Sequence, residues 1–167
     1  MNTTATRRDP CITAWVAQTG NGFGGSELQN FLRRHQSSND GWGVEKSNDD
    51  GWANKVFYVS NKPNATITFE FKEFAIHGKV VTIFFLRSYG EKWKDSKARF
   101  SVTSSNNETA PLGQLNITGV HDMPYSLTLS EKIVLADPVE KGQTLHLKVD
   151  LISGSSFKIT GMALCEY

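Results

Sequence analysis

ATITFEFK, residues 65–72, alternates apolar and polar side chains without a break. Ile67, Phe69 and Phe71 fall on one side, while the threonines, Glu70 and Lys72 fall on the other. A period of two residues is that of a β-strand with one face in a core and one face in water. Such half-buried strands are typical of antiparallel sheets, so this stretch predicts an antiparallel β fold.

Outward from this stretch, the same period or a short apolar run recurs along the chain. Clusters of turn-forming residues separate the runs, as at 61–64 and at Asp137-Pro138. About eight or nine short strands at this spacing predict an all-β antiparallel sandwich of jelly-roll type. Besides 65–72, strands are predicted at 12–18, 56–59, 79–89, 97–103, 125–135, 144–152 and 157–165.

One short helix is predicted near the N-terminus, at about 27–35. Ser26 and Gln29 have the spacing of a capping box, and Leu28, Phe31 and Leu32 share one helical face. The preceding glycines at 20–25 match the pattern of a dinucleotide-binding loop. That loop needs a second parallel strand after the helix, and antiparallel alternation follows instead. We interpret the glycines as a flexible connection.

Length and composition indicate one soluble domain. The chain has 167 residues, of which 38% are apolar, enough for a substantial core. We expect a single sandwich at 11–167, preceded by an added or disordered segment at 1–10. A net charge of +1 gives no basic stripe for nucleic acid. Apolar runs are far shorter than the roughly 18 residues of a membrane span, so we expect no membrane insertion.

Two features favour the secretory route. The first is a set of four Asn-x-Ser/Thr acceptor sequences for glycosylation. The second is the cysteine pair Cys11 and Cys165, which would form a disulfide in a sandwich whose first and last strands are neighbours. Closing so long a loop would stabilise the fold by roughly 4–5 kcal/mol in the entropy model; the alternative is two buried thiols. The acceptor residues are Asn2, Asn64, Asn107 and Asn116.

Residues with recognisable catalytic spacing are absent from the sequence. It has no Gly-x-Ser-x-Gly motif, and its four histidines are scattered. Two cysteines are too few for a zinc site of ordinary spacing. A structural calcium ion is a possible cofactor, since Asp49 and Asp50 offer oxygen ligands, although turn chemistry alone also explains these residues. We therefore predict no catalytic residues.

Aromatic residues in predicted loops are the informative set. Arg87, Tyr89 and Trp93 form one candidate binding patch, and Trp42 with Trp52 forms another, each tryptophan ending an Asp-Gly-Trp turn. An exposed aromatic ring offers a platform for the C–H face of a sugar, and polar neighbours supply hydrogen bonds. The alternative is that each ring anchors the core. We expect Trp52, which leads into an apolar strand, to be buried and Trp42 to be more exposed.

A family resemblance rests on Leu86-Arg87-Ser88-Tyr89-Gly90 after an apolar strand, and on the upstream Gly51-Trp52, Tyr58 and Pro63 before the strand at 66–69. Over roughly residues 41–104 the chain resembles β-sandwich accessory domains of secreted or Golgi glycan-modifying enzymes, including those beside SGNH-type esterases. The nucleophile and histidine motifs of the esterase are absent. The resemblance implies a carbohydrate-binding-module or galactose-binding-like jelly roll without catalytic activity.

These observations together predict a non-catalytic carbohydrate-binding or accessory domain of a secreted or luminal glycoprotein. Its partners would be a glycan or polysaccharide and other domains of a larger chain, and not nucleic acid. Two alternatives remain open from the sequence. One is a polysaccharide-active jelly-roll enzyme with acid and base residues on its concave face. The other is an adhesion or structural module that binds protein through the same aromatic residues.

Overall fold

The computed structural model describes residues 11–16, 23–47, 55–72, 77–106 and 110–165. Within these ranges the side chains are described for 28–45, 56–72, 77–106 and 110–164. Asp49, Asp50 and Trp52, and the acceptors Asn2 and Asn107, lie outside the described residues.

Eleven strands and one α-helix make up the described residues, together with a 3-10 turn at Glu91–Trp93. Their order along the chain is β1 Cys11–Val16, α1 Phe23–His35, β2 Gln36–Asp40, β3 Trp42–Ser47, β4 Lys55–Ser60, β5 Thr66–Phe71, β6 Gly78–Arg87, β7 Lys97–Ser104, β8 Gly113–Thr118, β9 Leu127–Val139, β10 Leu145–Ser153 and β11 Lys158–Cys165.

Two antiparallel sheets face each other. The six-stranded sheet has the order β3-β4-β11-β6-β9, with β1 added beside β11, and the five-stranded sheet has the order β2-β5-β10-β7-β8. From β4 to β11 the chain crosses between the sheets at every connection except that from β7 to β8, which are neighbours in one sheet, and this is the strand arrangement of an eight-stranded jelly roll. The prediction of an all-β jelly-roll sandwich with one short N-terminal helix is confirmed.

The core lies between the sheets and follows the alternation seen in the sequence. Ile67 and Phe69 are fully buried and Phe71 nearly so, whereas the residues between them are partly exposed. The helix adds Leu28 and Phe31, and the Phe31 ring lies 5.8 Å from that of Phe69. Because apolar area removed from water is the main stabilising term, this shared layer holds the two sheets together.

Several element boundaries differ from the sequence-based prediction. The helix begins at Phe23, so Gly24 and Gly25 are helical rather than part of a flexible connection. Strands β2, β3 and β8 were not predicted, because short polar or glycine-containing strands show little apolar alternation. Asp137-Pro138, predicted as a turn, lies within β9, on an edge strand where proline is tolerated.

A second, smaller apolar cluster covers the outer face of the six-stranded sheet. Tyr58 points into the main core, so its neighbours Phe57 and Val59 point outward, and Trp93 packs against them. The segment between β6 and β7 therefore folds over this outer face. Among the described residues, no helix is long and apolar enough to cross a membrane.

Candidate functional site

One end of the sandwich collects four connections between strands. In a jelly roll the alternate connections lie at the same end, here 61–65, 88–96, 119–126 and 154–157. Hydrogen bonds tie the last three of them together: the Ser88 N–H donates to Gly119 O at 2.9 Å, and the Gly119 N–H donates to Ser96 O at 2.8 Å. The Ser96 hydroxyl donates to Ser156 O at 2.6 Å. This end of the sandwich is called the loop end below. Because three of its connections are hydrogen-bonded to one another, it offers the kind of ordered surface on which binding residues are positioned.

Exposed apolar residues concentrate at the loop end. Tyr89 is 46% exposed, Met123 42% and Tyr125 50%, and these three are called the tyrosine face below. Tyr89 follows Ser88 and Tyr125 precedes Ser126, and the two serine Oγ atoms lie within hydrogen-bond distance at 2.9 Å. This side-chain hydrogen bond adds to the backbone hydrogen bonds that already connect the two segments carrying the tyrosines.

Polar side chains beside the tyrosine face are fixed by their own contacts. The Arg87 Nε–H donates to Thr118 O at 3.0 Å, and its guanidinium lies 5.8 Å from the centroid of the Phe85 ring. His121 Nδ1 accepts the Met123 N–H at 3.0 Å, and its ring centroid lies 6.1 Å from that of Tyr125. Arg87 is the last residue of β6, and Tyr89 follows two residues later, so both are at the loop end.

Trp93, the third member of the predicted patch, is at the loop end but is only 7% exposed. Its ring packs on Phe57 and Val59, and the ammonium groups of Lys92 and Lys158 lie 5.2 and 5.3 Å from its centroid. The ring therefore shields an apolar cluster and is itself covered by cations. It does not offer the open platform that the sequence analysis expected.

Trp42 is only 5% exposed, so it is not the exposed platform that the sequence analysis expected. Its ring stacks on Tyr58, with centroids 5.8 Å apart and planes inclined by 25°. The Asn39 side chain holds the turn by accepting the Trp42 N–H and donating to Trp42 O, both at 3.0 Å. Trp52, its expected buried counterpart, lies outside the described residues.

A polar groove crosses the outer face of the five-stranded sheet, with a volume of about 420 Å³. The strand register places Thr68, Lys148 and Ser101 side by side, and Glu70, His146 and Thr103 in the next row. Lys72 and His146 donate to Glu70 and together lower the pKa of its carboxyl, with Lys72 the larger influence. The groove is lined by Ser37, Ser38, Thr68, Ser101, Thr103, His146 and Lys148.

Metal ligands are not clustered in the part of the chain that the structure describes: no group of three His, Cys, Asp or Glu residues there could hold an ion. The proposed calcium ligands Asp49 and Asp50 fall outside that part. Calcium binding by this loop therefore stays a prediction.

Two of the predicted glycosylation acceptors are described, and both are exposed. Asn64 lies in the connection after β4 with φ of 59°, and Asn116 lies on β8 facing solvent. The cysteines occupy opposed positions in neighbouring strands, since the register of β1 and β11 pairs Cys11 with Cys165. Opposed residues of antiparallel strands have Cα separations of about 4.5–5.5 Å, within the range that a disulfide spans.

Comparison with known proteins identifies relatives by shape alone. No protein-family model matches the sequence, and no curated protein matches it. The chain is similar to the carbohydrate-binding module of Cellvibrio mixtus lichenase 5A solved with cellotriose, at a TM-score of 0.50 and 9% identity, covering 94% of this chain and 98% of that one.

Two further solved structures share the fold at the same TM-score of 0.50. A family 6 carbohydrate-binding module from Clostridium cellulolyticum, solved with xylose, is 13% identical and covers 78% of this chain and 92% of its own. An arabinose-bound α-L-arabinofuranosidase is 11% identical and covers 93% of this chain but 26% of its own. The expected resemblance is confirmed: this chain has the β-sandwich fold of carbohydrate-binding modules.

Proposed function

We propose that this chain is a non-catalytic carbohydrate-binding domain whose ligand lies on the tyrosine face. The observation that carries the proposal is the placement of Tyr89 and Tyr125 on either side of the Ser88–Ser126 hydrogen bond. Both rings are about half exposed, and the connections beneath them are hydrogen-bonded to one another. A ligand would meet this surface with little loss of side-chain or loop freedom.

The chemistry of the tyrosine face suits a saccharide. A sugar ring has an apolar C–H side that packs on an aromatic ring and hydroxyls that hydrogen-bond at its rim. Each tyrosine also carries a hydroxyl that donates and accepts. The Tyr125 hydroxyl lies 2.9 Å from Met123 Sδ, which orders the edge of the face. The modules of the same fold solved with cellotriose and with xylose support this choice of ligand class.

The setting of the domain is part of the proposal. We place it in a secreted or luminal glycoprotein, with a Cys11–Cys165 disulfide and glycans on its Asn-x-Ser/Thr sequences, next to other domains of a longer chain. The exposed positions of Asn64 and Asn116 and the paired register of the cysteines support this setting. An oxidising compartment is where such a disulfide persists.

The test is binding of cellotriose, xylotriose and soluble polysaccharides by isothermal titration calorimetry. Tyr89→Ala and Tyr125→Ala should each weaken binding about tenfold, as truncation of an aromatic anchor does. Val134→Ala is the matched control, because Val134 is 63% exposed but lies on β9 away from the loop end. All three variants should unfold at nearly the wild-type temperature.

Three results would contradict the proposal. If saccharide binding is unchanged in both tyrosine variants, the tyrosine face is not the binding site. If the loss instead followed Lys148→Met or Thr103→Ala, the ligand would lie in the groove of the five-stranded sheet. Turnover of any of these polysaccharides by the purified chain would favour the enzyme alternative.

A further inference from the structure

A separate pocket lies on the outer side of the six-stranded sheet, near the loop end. It has a volume of about 360 Å³ and shares no lining residue with the tyrosine face. Ligand pockets for small molecules begin at about this size. The side chains used in the argument below are Glu45 on β3, Val59 on β4, Asn61 after β4 and Lys92 in the 3-10 turn.

The Glu45 carboxylate is held in place by two lysines. Its Oε2 accepts from Lys92 Nζ at 3.1 Å, and its Oε1 accepts from Lys158 Nζ at 3.3 Å. Partial burial alone would raise the pKa of Glu45, but the hydrogen bonds and charges of the two lysines outweigh burial and lower the pKa. The pocket therefore contains an ionised, oriented acceptor whose two oxygens retain further lone pairs.

Lys158 explains why this arrangement is rigid. Its side chain is only 8% exposed, and its ammonium lies 4.3 Å from the centroid of the Phe57 ring and 5.3 Å from that of Trp93. A buried cation needs a partner charge, so Lys158, covered by the Phe57 and Trp93 rings, fixes Glu45. Lys92, which is half exposed, holds the same carboxylate from the solvent side.

The remaining walls combine donors with an apolar surface. An ammonium has three N–H groups, so Lys92 keeps donors beyond the one given to Glu45. The Asn61 amide borders the pocket above Gly43, where a Cβ atom would lie 3.7 Å from Asn61 Nδ2. The absence of a side chain at Gly43 thus leaves this side open, and Val59 supplies an apolar wall.

We propose that this pocket is a second saccharide subsite, which takes one neutral sugar unit through adjacent hydroxyls. Each sugar hydroxyl both donates and accepts, and here a fixed acceptor and a fixed donor lie 3.1 Å apart at Glu45 and Lys92. A neutral sugar is favoured over a charged one because the Glu45 and Lys92 charges at the pocket are paired with each other. This inference rests on the proposed function, since it extends saccharide binding from the tyrosine face to a second place.

The experiment follows backbone amide shifts by NMR while cellotriose or xylose is added to the whole chain. The amides of Gly43 and Asn61 report on the pocket, and those of Tyr89 and His121 report on the tyrosine face. The titration is repeated in Tyr89→Ala/Tyr125→Ala, in Lys92→Met and in Asn61→Ala. Lys94→Met is the matched control, because Lys94 lies in the same exposed segment but does not line the pocket.

We expect the Gly43 and Asn61 amides to shift in the wild type and in the tyrosine double variant. Lys92→Met and Asn61→Ala should weaken that response about tenfold, a loss typical of a removed hydrogen-bonding anchor, and Lys94→Met should not. Shifts confined to Tyr89 and His121 would overturn the second subsite and leave the proposed function intact. No shift in either set would overturn both, and pocket shifts unaffected by Lys92→Met would show that this lysine does not bind the sugar.

Discussion

The indole of Trp42 and the phenol ring of Tyr58 stack 5.8 Å apart across neighbouring strands β3 and β4. The Tyr58 hydroxyl in turn donates to Gln36 Oε1 at 2.8 Å and accepts from Asn39 Nδ2 at 3.0 Å. These hydrogen bonds therefore join the two sheets, since β2 belongs to one sheet and β4 to the other. Burial raises the pKa of Tyr58, which keeps its hydroxyl proton in this network.

Replacing Trp42 should mainly affect stability. Trp42→Ala removes a buried indole from the main core and leaves a cavity, so we expect the free energy of unfolding to fall by about 3–5 kcal/mol. Chemical denaturation measures the change. The comparison variant is Tyr89→Ala, whose effect should be within about 0.5 kcal/mol because the ring is at the surface. Equal losses in the two variants would contradict the assigned burial.

The hydrogen bond between Ser88 and Ser126 should matter for affinity as well as for stability. Ser88→Ala and Ser126→Ala each remove it, at a cost of about 0.5–1.5 kcal/mol. Because the bond connects the segments that carry Tyr89 and Tyr125, saccharide affinity should also fall. A double-mutant cycle on the two serines, with the free energy of unfolding and the saccharide affinity measured for each variant, checks this expectation. Additive effects of the two substitutions would show that the serines act independently.

The Lys158–Glu45 pair should respond unequally to removal of its two members. Glu45→Gln takes the carboxylate away from a lysine that is buried among aromatic rings, so we expect a loss of about 1–3 kcal/mol. Lys158→Met removes the buried charge itself and leaves Glu45 with Lys92 and water, so it should cost less. Thermal unfolding at neutral pH measures which variant is less stable, and we expect the lower unfolding temperature for Glu45→Gln. A larger loss in Lys158→Met would contradict this account.

Stability should decrease as the pH falls below about 6.5, the ordinary pKa of histidine. Burial of His35 between α1 and β5 lowers its pKa, more than the hydrogen bond to Glu70 O raises it, and the charge of Arg34 lowers it further. The unfolded chain therefore binds a proton at a higher pH than the folded chain does. The loss accumulates as the pH falls from the unfolded pKa through the lower folded pKa.

His35→Gln removes this contribution while keeping a polar side chain. In this variant the free energy of unfolding should change less with pH across that window. It should also be lower at every pH, because the ring contacts with Phe31 and Phe71 are lost. Urea denaturation at a series of pH values measures the free energy of unfolding and its slope against pH. An unchanged slope would assign the pH dependence to other groups.

The cysteine pairing is tested on protein made in an oxidising compartment. Peptide mapping without reduction should recover the segments of Cys11 and Cys165 as one linked species. Reduction should lower the free energy of unfolding by up to about 5 kcal/mol, the entropic value for so long a loop. Two free thiols in the unreduced protein would contradict the disulfide.

Much of the fold was readable from local alternation, and the rest depended on distant contacts. The alternation of Ile67, Phe69 and Phe71 alone predicts a half-buried strand, and the structure confirms it. The burial of Trp42 could not be predicted in this way, because the groups that bury it lie on other strands and its immediate neighbours are glycines and a charged turn. Strand β8 offers only two well-spaced apolar residues between polar ones, so its alternation was too short to recognise.

The tyrosine face was predicted in part. Tyr89 was selected as an aromatic residue beside a predicted loop and Arg87 as its polar partner, and the structure places them at the loop end. Tyr125 was missed as a surface residue because its spacing with Leu127 and Leu129 fits a strand, but β9 begins only at Leu127. Pro124, just before it, was the available signal, since proline often marks a turn.

The pairing of β1 with β11 determines where the two ends of the described fold lie relative to the tyrosine face. Residue 11 lies opposite residue 165, and β11 runs about 25 Å from the loop end to that point. Residues 11 and 165 therefore lie side by side, at the end opposite the tyrosine face. A domain tethered at that end holds its tyrosines at the far tip, pointing away from whatever carries it.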